Sequence, residues 1–260
     1  MLKFIIFISR LFPGWSKRFY TYLEKASAYL RGKGFGTGSL EFEITQCFHF
    51  LNTGPGLLVD VGGNKGLYSK ILCAKAPGAQ IHIFEPSDTN LQHLSKLFGA
   101  NKHVTIVPSG LSDQAGEVEL YADEAGSGMA SLTKRDLSHF DIDFEYKETI
   151  RVIRFEDYWY DMLKGQPVDL MKIDVEGHEL KVLKGCGTAI SNIHVIQFEF
   201  GGCNIDTRTF FKDFYDFFKV HDFIIHRISP LGIERIDKYQ ESDEYFSTTN
   251  YIAVNRKLLK

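Results

Sequence analysis

The chain has 260 residues, with 30 Lys and Arg against 33 Asp and Glu for a net charge of -3, and 44% of its residues are hydrophobic. That length supports one well-cored domain, and the interspersed charge gives no global basic footprint for a nucleic-acid binder, which leaves a small-molecule or glycan substrate as the natural partner. Cys47, Cys73, Cys186 and Cys203 form no C-x-x-C pair and no cluster with histidine, so neither zinc nor a disulfide framework is expected and a reduced cytoplasmic setting fits.

Residues 1–12 are apolar but far short of the ~20 residues that span a bilayer, and no small-residue cleavage site follows before Pro13-Gly14-Trp15. The segment reads as packing on the domain's own core or on a partner. A peripheral foot on the inner membrane face and a signal peptide are the alternatives. Residues 15–30 place Phe19, Tyr22, Leu23, Ala26, Tyr29 and Leu30 at helical spacing, and the glycines of 32–38 break it. A second helix is predicted from the N-cap Ser39 to Asn52, stopped by Gly54-Pro55-Gly56. Residues 1–56 are therefore read as a helical cap in the same domain as residues 57–260.

The run Leu57-Leu58-Val59-Asp60-Val61-Gly62-Gly63-Asn64-Lys65-Gly66-Leu67-Tyr68-Ser69 reads as a buried strand, a glycine turn and a helix start. A dinucleotide fingerprint fails here, because counting from Gly62 the second glycine position holds Asn64 and the third holds Leu67. Asp60 also speaks against a phosphate: at about 4 Å a carboxylate would repel it by roughly 4 kcal/mol at an effective dielectric near 20. S-adenosylmethionine carries no phosphate, and its ammonium and sulfonium suit a carboxylate. Gly62, Gly63, Asn64, Gly66 and Tyr68 would then form the cradle beside Asp60.

From Leu57 onward, strands and helices alternate, the pattern of a mostly parallel sheet covered on both faces. Residues 80–86 form the second strand, and Glu85-Pro86 at its tip lies 19 residues beyond Gly66, where an acidic side chain accepts the ribose hydroxyls of an adenosine. Ser87 opens a helix to Phe98, and residues 103–107 form the third strand. Ser109, Leu111, Ser112 and Asp113 either lie beside the adenine or make a plain turn into a strand at 117–121. Residues 122–148 break the alternation and read as either a substrate lid or a solvated loop. Residues 149–154 return to a strand, followed by a helix from 155 to 164.

The fourth sheet strand, 168–173, delivers Asp174-Val175-Glu176-Gly177-His178-Glu179 at its carboxyl end, where ligands of open α/β sheets bind. Glu179 reads as a helix cap and Lys172 as a flanking charge. Asp174 ends an apolar strand, where an unpaired carboxylate is costly, and so is the first candidate for catalytic base or substrate anchor. His178 follows, and so does Glu199 near the end of the fifth strand, 193–200. Asp174 and Glu199 together could hold a divalent cation, Mg or Mn, although no motif completes a ligand set. Residues 207–220 form an aromatic amphipathic helix. The chain closes with a segment at 222–228, a turn at 229–232 and a last strand at 249–254.

Asp60-Val61-Gly62-Gly63-Asn64-Lys65-Gly66, Phe84-Glu85-Pro86, Leu111-Ser112-Asp113 and Lys172-Ile173-Asp174-Val175-Glu176-Gly177-His178-Glu179, in that order, resemble the FkbM-type S-adenosylmethionine-dependent methyltransferases across residues 57–202. The resemblance implies a three-layer, Rossmann-like sheet, mostly parallel with an antiparallel last strand. It also implies O-methylation of a hydroxyl on a sugar, glycan or related metabolite. Gly63 stands where that family more often has alanine, a change expected to leave cofactor binding intact. Two rival readings are a nicotinamide-dependent sugar oxidoreductase or epimerase, and a non-catalytic scaffold using the aromatic N-terminus and the helix at 210–218. The oligomeric state is left open.

Overall fold

The computed structural model describes residues 6, 9, 10, 13–36, 38–51 and 54–258. Two helices precede the sheet: α1 spans Pro13–Leu30 and α2 spans Leu40–Phe48. Ser39 caps α2 as predicted, its hydroxyl accepting from the Phe42 N–H at 3.4 Å. The helix closes at Phe48, earlier than the Gly-Pro-Gly stop suggests, because His49 N–H already returns to carbonyls of the last turn. Asn52, its predicted end, lies outside the described residues. α2 packs Ile44 and Cys47 into the core against Leu58, Tyr68 and Val254, whereas α1 buries only Ser16. The packing predicted for residues 1–12 falls mostly outside the described residues, since only Ile6, Ser9 and Arg10 of that segment are described.

The strands are β1 (Leu57–Val61), β2 (Gln80–Phe84), β3 (Val104–Val107), β4 (Gly110–Leu111), β5 (Gly116–Ala122), β6 (Tyr146–Ile153), β7 (Val168–Ile173), β8 (Ile193–Phe200), β9 (Phe223–Ser229), β10 (Gly232–Ile236) and β11 (Thr249–Asn255). Between them run α3 (Leu67–Lys75), α4 (Asp88–Phe98), α5 (Phe155–Asp161), α6 (Glu179–Gly185), α7 (Cys203–Thr207) and α8 (Phe211–Val220). One sheet has the order β10-β9-β11-β8-β7-β1-β2-β3. Its β3-β2-β1-β7-β8 half is parallel, and the last strand, β11, runs antiparallel between β8 and β9. The fold class is the one the alternation predicts. β10, unread in the sequence, adds an antiparallel edge through a hairpin with β9.

Side chains alternate along β1, so Leu57, Val59 and Val61 enter one core layer with Phe155, Val182 and Phe214, while Leu58 enters the other with Ile44, Leu72 and Leu94. Aromatic packing closes the first layer: Phe198 stacks on Phe214 and Tyr251 with centroids 5.1 and 5.3 Å apart. The same alternation places polar residues in a row on the second face. Asp60 is registered with Lys172, and Lys172 with Gln197, across β1, β7 and β8.

A small second sheet, β4-β6-β5, stands over the carboxyl edge of the main one. β6 begins at Tyr146, earlier than predicted, because it pairs with β5 from Tyr146 to Val152. Among the described residues no helix is long and apolar enough to cross a membrane, and all four cysteines are free.

Candidate active site

A cavity opens where β1, β2 and β7 end, walled below by the glycine turn and above by Leu120, Ile150 and Val152 of the small sheet. Gly62 and Gly63 donate their N–H groups to the Phe84 carbonyl at 3.0 and 3.1 Å, which ties the turn to β2. Their missing side chains serve the protein's own packing. A Cβ on Gly62, whose φ is +81°, would sit 1.9 Å from the Asp174 carbonyl oxygen, and one on Gly63 would sit 2.2 Å from Ile83 Cγ2. Asn64 follows in the left-handed region at φ +46° and donates its N–H to Glu85 Oε2 at 2.7 Å. Its side-chain Oδ1 is buried with no hydrogen-bond partner.

Glu85 is buried at the cavity wall. Its other oxygen accepts from Ser87 N–H at 2.9 Å and Asn90 Nδ2 at 3.5 Å. Three donors therefore occupy a carboxylate that offers about four acceptor sites, which leaves capacity for a ligand hydroxyl. Burial raises its pKa, and the backbone donors of Ser87 and Asn64 oppose that rise.

The loop from β7 into α6 supplies the opposite wall. Lys172 is buried, and its ammonium lies 3.2 Å from Asp174 Oδ2 and 3.7 Å from Asp60 Oδ1. Burial works to lower the Lys172 pKa, but Asp174 and then Asp60 overcome it and raise it. Asp174 itself is 37% exposed and lines the cavity. Beyond it the chain turns sharply, with Glu176 at φ +52° and Gly177 at +102°. Glu179, wholly buried, holds this turn by accepting the N–H groups of Val175 and Gly177, each at 3.0 Å. His178 lines the cavity, with Nε2 2.9 Å from Thr133 Oγ1 and a partnerless, buried Nδ1. Burial, helped by Lys181, lowers its pKa to about 4, so the imidazole is neutral above that pH.

Residues 123–145 clamp this loop from outside. Ser131 Oγ donates to the Glu176 carbonyl at 2.7 Å. Arg135 Nη1 donates to Glu176 Oε2 at 3.2 Å, and its Nε to Asp206 Oδ2 at 3.0 Å. Burial, together with Asp174, raises the Glu176 pKa to about 8.

Residues 60–225 match the family model described as the methyltransferase FkbM domain. The chain belongs to the FkbM methyltransferase family. This FkbM protein is 31% identical over 176 residues to methyltransferase sdnD of Sordaria araneosa, a match covering 56% of this chain and 66% of that one. It is 28% identical over 145 residues to hexuronic acid methyltransferase AglP of Haloferax volcanii, covering 55% of each. The chain thus spans about half to two thirds of the length of these curated relatives. A crystal structure of methyltransferase FkbM from Methylobacillus flagellatus KT aligns with 76% of this chain and 44% of its own, at 20% identity and a TM-score of 0.47.

In the FkbM protein, the cavity brings together Gly62, Gly63, Asn64, Tyr68, Glu85, Pro86, Leu111, Asp174 and His178 of the residues read from the sequence. Others lie elsewhere. Asp60 is fully buried and does not line the cavity, because strand alternation turns it toward α3, where Ser69 Oγ donates to it at 2.6 Å and Lys172 neutralises it. Its charge therefore acts on a ligand only through Lys172, and the direct repulsion of a phosphate is not available. Gly66 caps α3 at φ +78°, where a Cβ would meet Leu94 and Phe98 at 2.8 Å. Ser109 donates to the Pro108 carbonyl and Ser112 to Asp113, and none of the three lines the cavity. Within residues 109–113, Gly110 and Leu111 line the cavity, and the chain runs from β4 through a turn into β5.

Glu199 does not line the cavity either. Its pKa is raised well above the usual range by burial and by Asp174, Glu176 and Glu179. Asp174, the other half of the predicted cation pair, is ion-paired to Lys172 at 3.2 Å. Among the described residues the donors that converge are Glu176, Glu199 and Cys203, within 4.8 Å of one another. A thiol in that set and Arg135 against Glu176 do not make the oxygen cage that Mg or Mn prefers.

Sequence reading passed over Lys172 as a flank and missed Glu43 and Gln197. Gln197 Oε1 accepts from Tyr68 OH at 2.6 Å and its Nε2 donates to Glu43 Oε2 at 2.9 Å. Part of the signal was available: Lys172 follows the apolar Leu170-Met171, and Gln197 interrupts the apolar run Val195-Ile196 and Phe198. Arg135, Ser131 and Thr133 carried no such signal, since they sit in an irregular segment.

Proposed function

We propose that this protein transfers the methyl group of S-adenosylmethionine to a hydroxyl of a sugar, glycan or related metabolite. The observation that carries the reading is the cavity's supply of unsatisfied acceptors: the orphaned Asn64 Oδ1, the spare capacity of Glu85 and the accessible carboxylate of Asp174. Such a lining fits a cationic ligand that carries ribose hydroxyls and no phosphate. When bound, S-adenosylmethionine supplies an electrophilic methyl on a sulfonium.

The chain's own residues then have three tasks. Glu85 and Asn64 accept hydrogen bonds from the bound ligand and fix its orientation. Asp174, held by Lys172 at 3.2 Å, anchors the acceptor hydroxyl and takes its proton as attack proceeds, the step without which a hydroxyl is a poor nucleophile. His178 is neutral, is fixed by Thr133 and has a free ring nitrogen, so it is the second acceptor available for that proton. The apolar roof of Leu120, Leu132, Ile150 and Val152 excludes water and seats the acceptor, which supplies alignment. The name of the relative AglP, a hexuronic acid methyltransferase, supports a sugar acceptor.

The test is Asp174→Asn, with S-adenosylmethionine affinity measured by calorimetry. Turnover is followed by transfer of labelled methyl to extract from a strain lacking the gene, with the product identified by mass spectrometry. Affinity should hold within about two-fold while turnover drops roughly 10²–10⁴-fold, the usual contribution of a positioned base. Near-normal turnover rules out Asp174. Failure of the wild-type protein to bind S-adenosylmethionine, with a nicotinamide dinucleotide bound instead, rules out the cofactor.

A further inference from the structure

α1 is an 18-residue helix whose only buried residue is Ser16. At 100° per residue, Trp15, Phe19, Tyr22, Leu23, Ala26, Tyr29 and Leu30 fall within an arc of roughly 120°. Trp15 and Phe19 stack at 5.2 Å, as two side chains one turn apart on a shared face do. Most of this face is exposed: Trp15 is 68% exposed, Tyr22 70% and Leu30 49%. Ser9 lies against a different side of α1, where Ser9 Oγ and Tyr20 OH are 2.8 Å apart and Ser16 Oγ donates to the Ser9 carbonyl. The ties to the body seen among the described residues gather at the far end of the helix: Tyr29 meets Phe35 edge-on at 5.4 Å, Gly32 approaches Ile228, the buried Lys33 bonds to the Ser242 carbonyl, and Arg31 lies against Glu234.

The charge is segregated in the same place. Residues 1–31 hold six basic residues and one acid, Glu24, for a net +5; the whole chain is -3, so the other 229 residues carry -8. Arg18 and Lys25 border the aromatic arc, and Lys17 lies further round the polar side; all three are exposed. A helix with one aromatic face, a basic border and little net hydrophobicity is the form that lies in a bilayer interface. Two such faces meeting in a homodimer would bring their basic borders together, whereas anionic headgroups neutralise them. A body at -8 is at the same time repelled from an anionic surface, so the contact is confined to α1.

We propose that α1 is a peripheral anchor that seats its aromatic face in the anionic leaflet of a lipid bilayer and holds the methyltransferase domain at that surface. The proposal is independent of the acceptor and of the cofactor reading.

The experiment is co-sedimentation of the full chain with vesicles of phosphatidylglycerol mixed into phosphatidylcholine, compared with phosphatidylcholine alone. Binding should be at least roughly ten-fold tighter to the anionic vesicles and should weaken with salt. Lys17→Gln/Arg18→Gln/Lys25→Gln should weaken it by about a hundred-fold, at about five-fold per charge. Trp15→Ser/Phe19→Ser/Tyr22→Ser should abolish it with an unchanged melting temperature of the body. Brominated lipid should quench Trp15 emission, and in Trp15→Phe the remaining, buried Trp159 should not respond. No preference for anionic vesicles, or unquenched Trp15, overturns the proposal. A stable dimer in sedimentation velocity that the triple serine variant dissociates would assign the face to a second copy instead.

Discussion

Glu179→Gln isolates the role of the buried carboxyl that holds the turn after β7. Glu179 is wholly inaccessible; Oε1 accepts two backbone N–H groups, and Oε2 has no partner. Burial, eased by those N–H groups, pushes its pKa from 4.5 up to about 7. A raised pKa in the folded state means a contribution to stability that is fully present below 4.5 and is lost as pH rises through 7. The span corresponds to about 3 kcal/mol. Glutamine keeps the accepting oxygen and cannot ionise, at a pH-independent cost for its buried amide. Its melting temperature relative to wild type should therefore climb between pH 5 and pH 8, by on the order of 5–10 °C for a domain of this size. Circular dichroism melts at the two pH values measure this. A difference that stays constant with pH, or a variant that falls further behind at pH 8, would refute the argument and show that the turn is held by an ionised carboxylate.

Lys172→Met should cost about 3–5 kcal/mol in urea unfolding, because it leaves the inaccessible Asp60 unpaired; adding Asp60→Asn should recover much of that loss. His178 has the opposite sign to Glu179. Its pKa, lowered from 6.5 to about 4, gives a contribution present above 6.5 and lost as pH falls through 4, so His178→Gln should flatten the acid side of the stability profile by about 3 kcal/mol. Gly63→Ala should lower stability by about 1–3 kcal/mol, since Ile83 Cγ2 occupies the space its Cβ needs. Equal melting temperatures would show that β2 yields.

The sheet was legible because each parallel strand is a short apolar run bounded by glycine, proline or a cap, and because the loops at the carboxyl ends carry the polar residues. The position of Glu85 followed from its distance to Gly66. Asp60 shows the limit of such reading: its place at a strand end suggested a ligand contact, but the parity of the strand turned it into the core, and parity cannot be assigned to a run buried on both faces. β10 escaped notice because Gly232-Ile233-Glu234-Arg235-Ile236 has a weak apolar pattern and relies on β9 for its register. The partnership of residues 123–145 with the Glu176 turn is a long-range contact between irregular segments, which no local periodicity encodes.

That partnership constrains how the enzyme can change. Ser131, Thr133 and Arg135 hold the Glu176–His178 turn from the segment whose neighbours Ser127, Gly128, Ala130 and Leu132 line the cavity. A new acceptor therefore cannot be accommodated by redrawing that segment alone. Any insertion or deletion there also moves the struts under the Glu176–His178 turn, so on the proposed function specificity and turnover are expected to drift together, and their substitutions to combine non-additively.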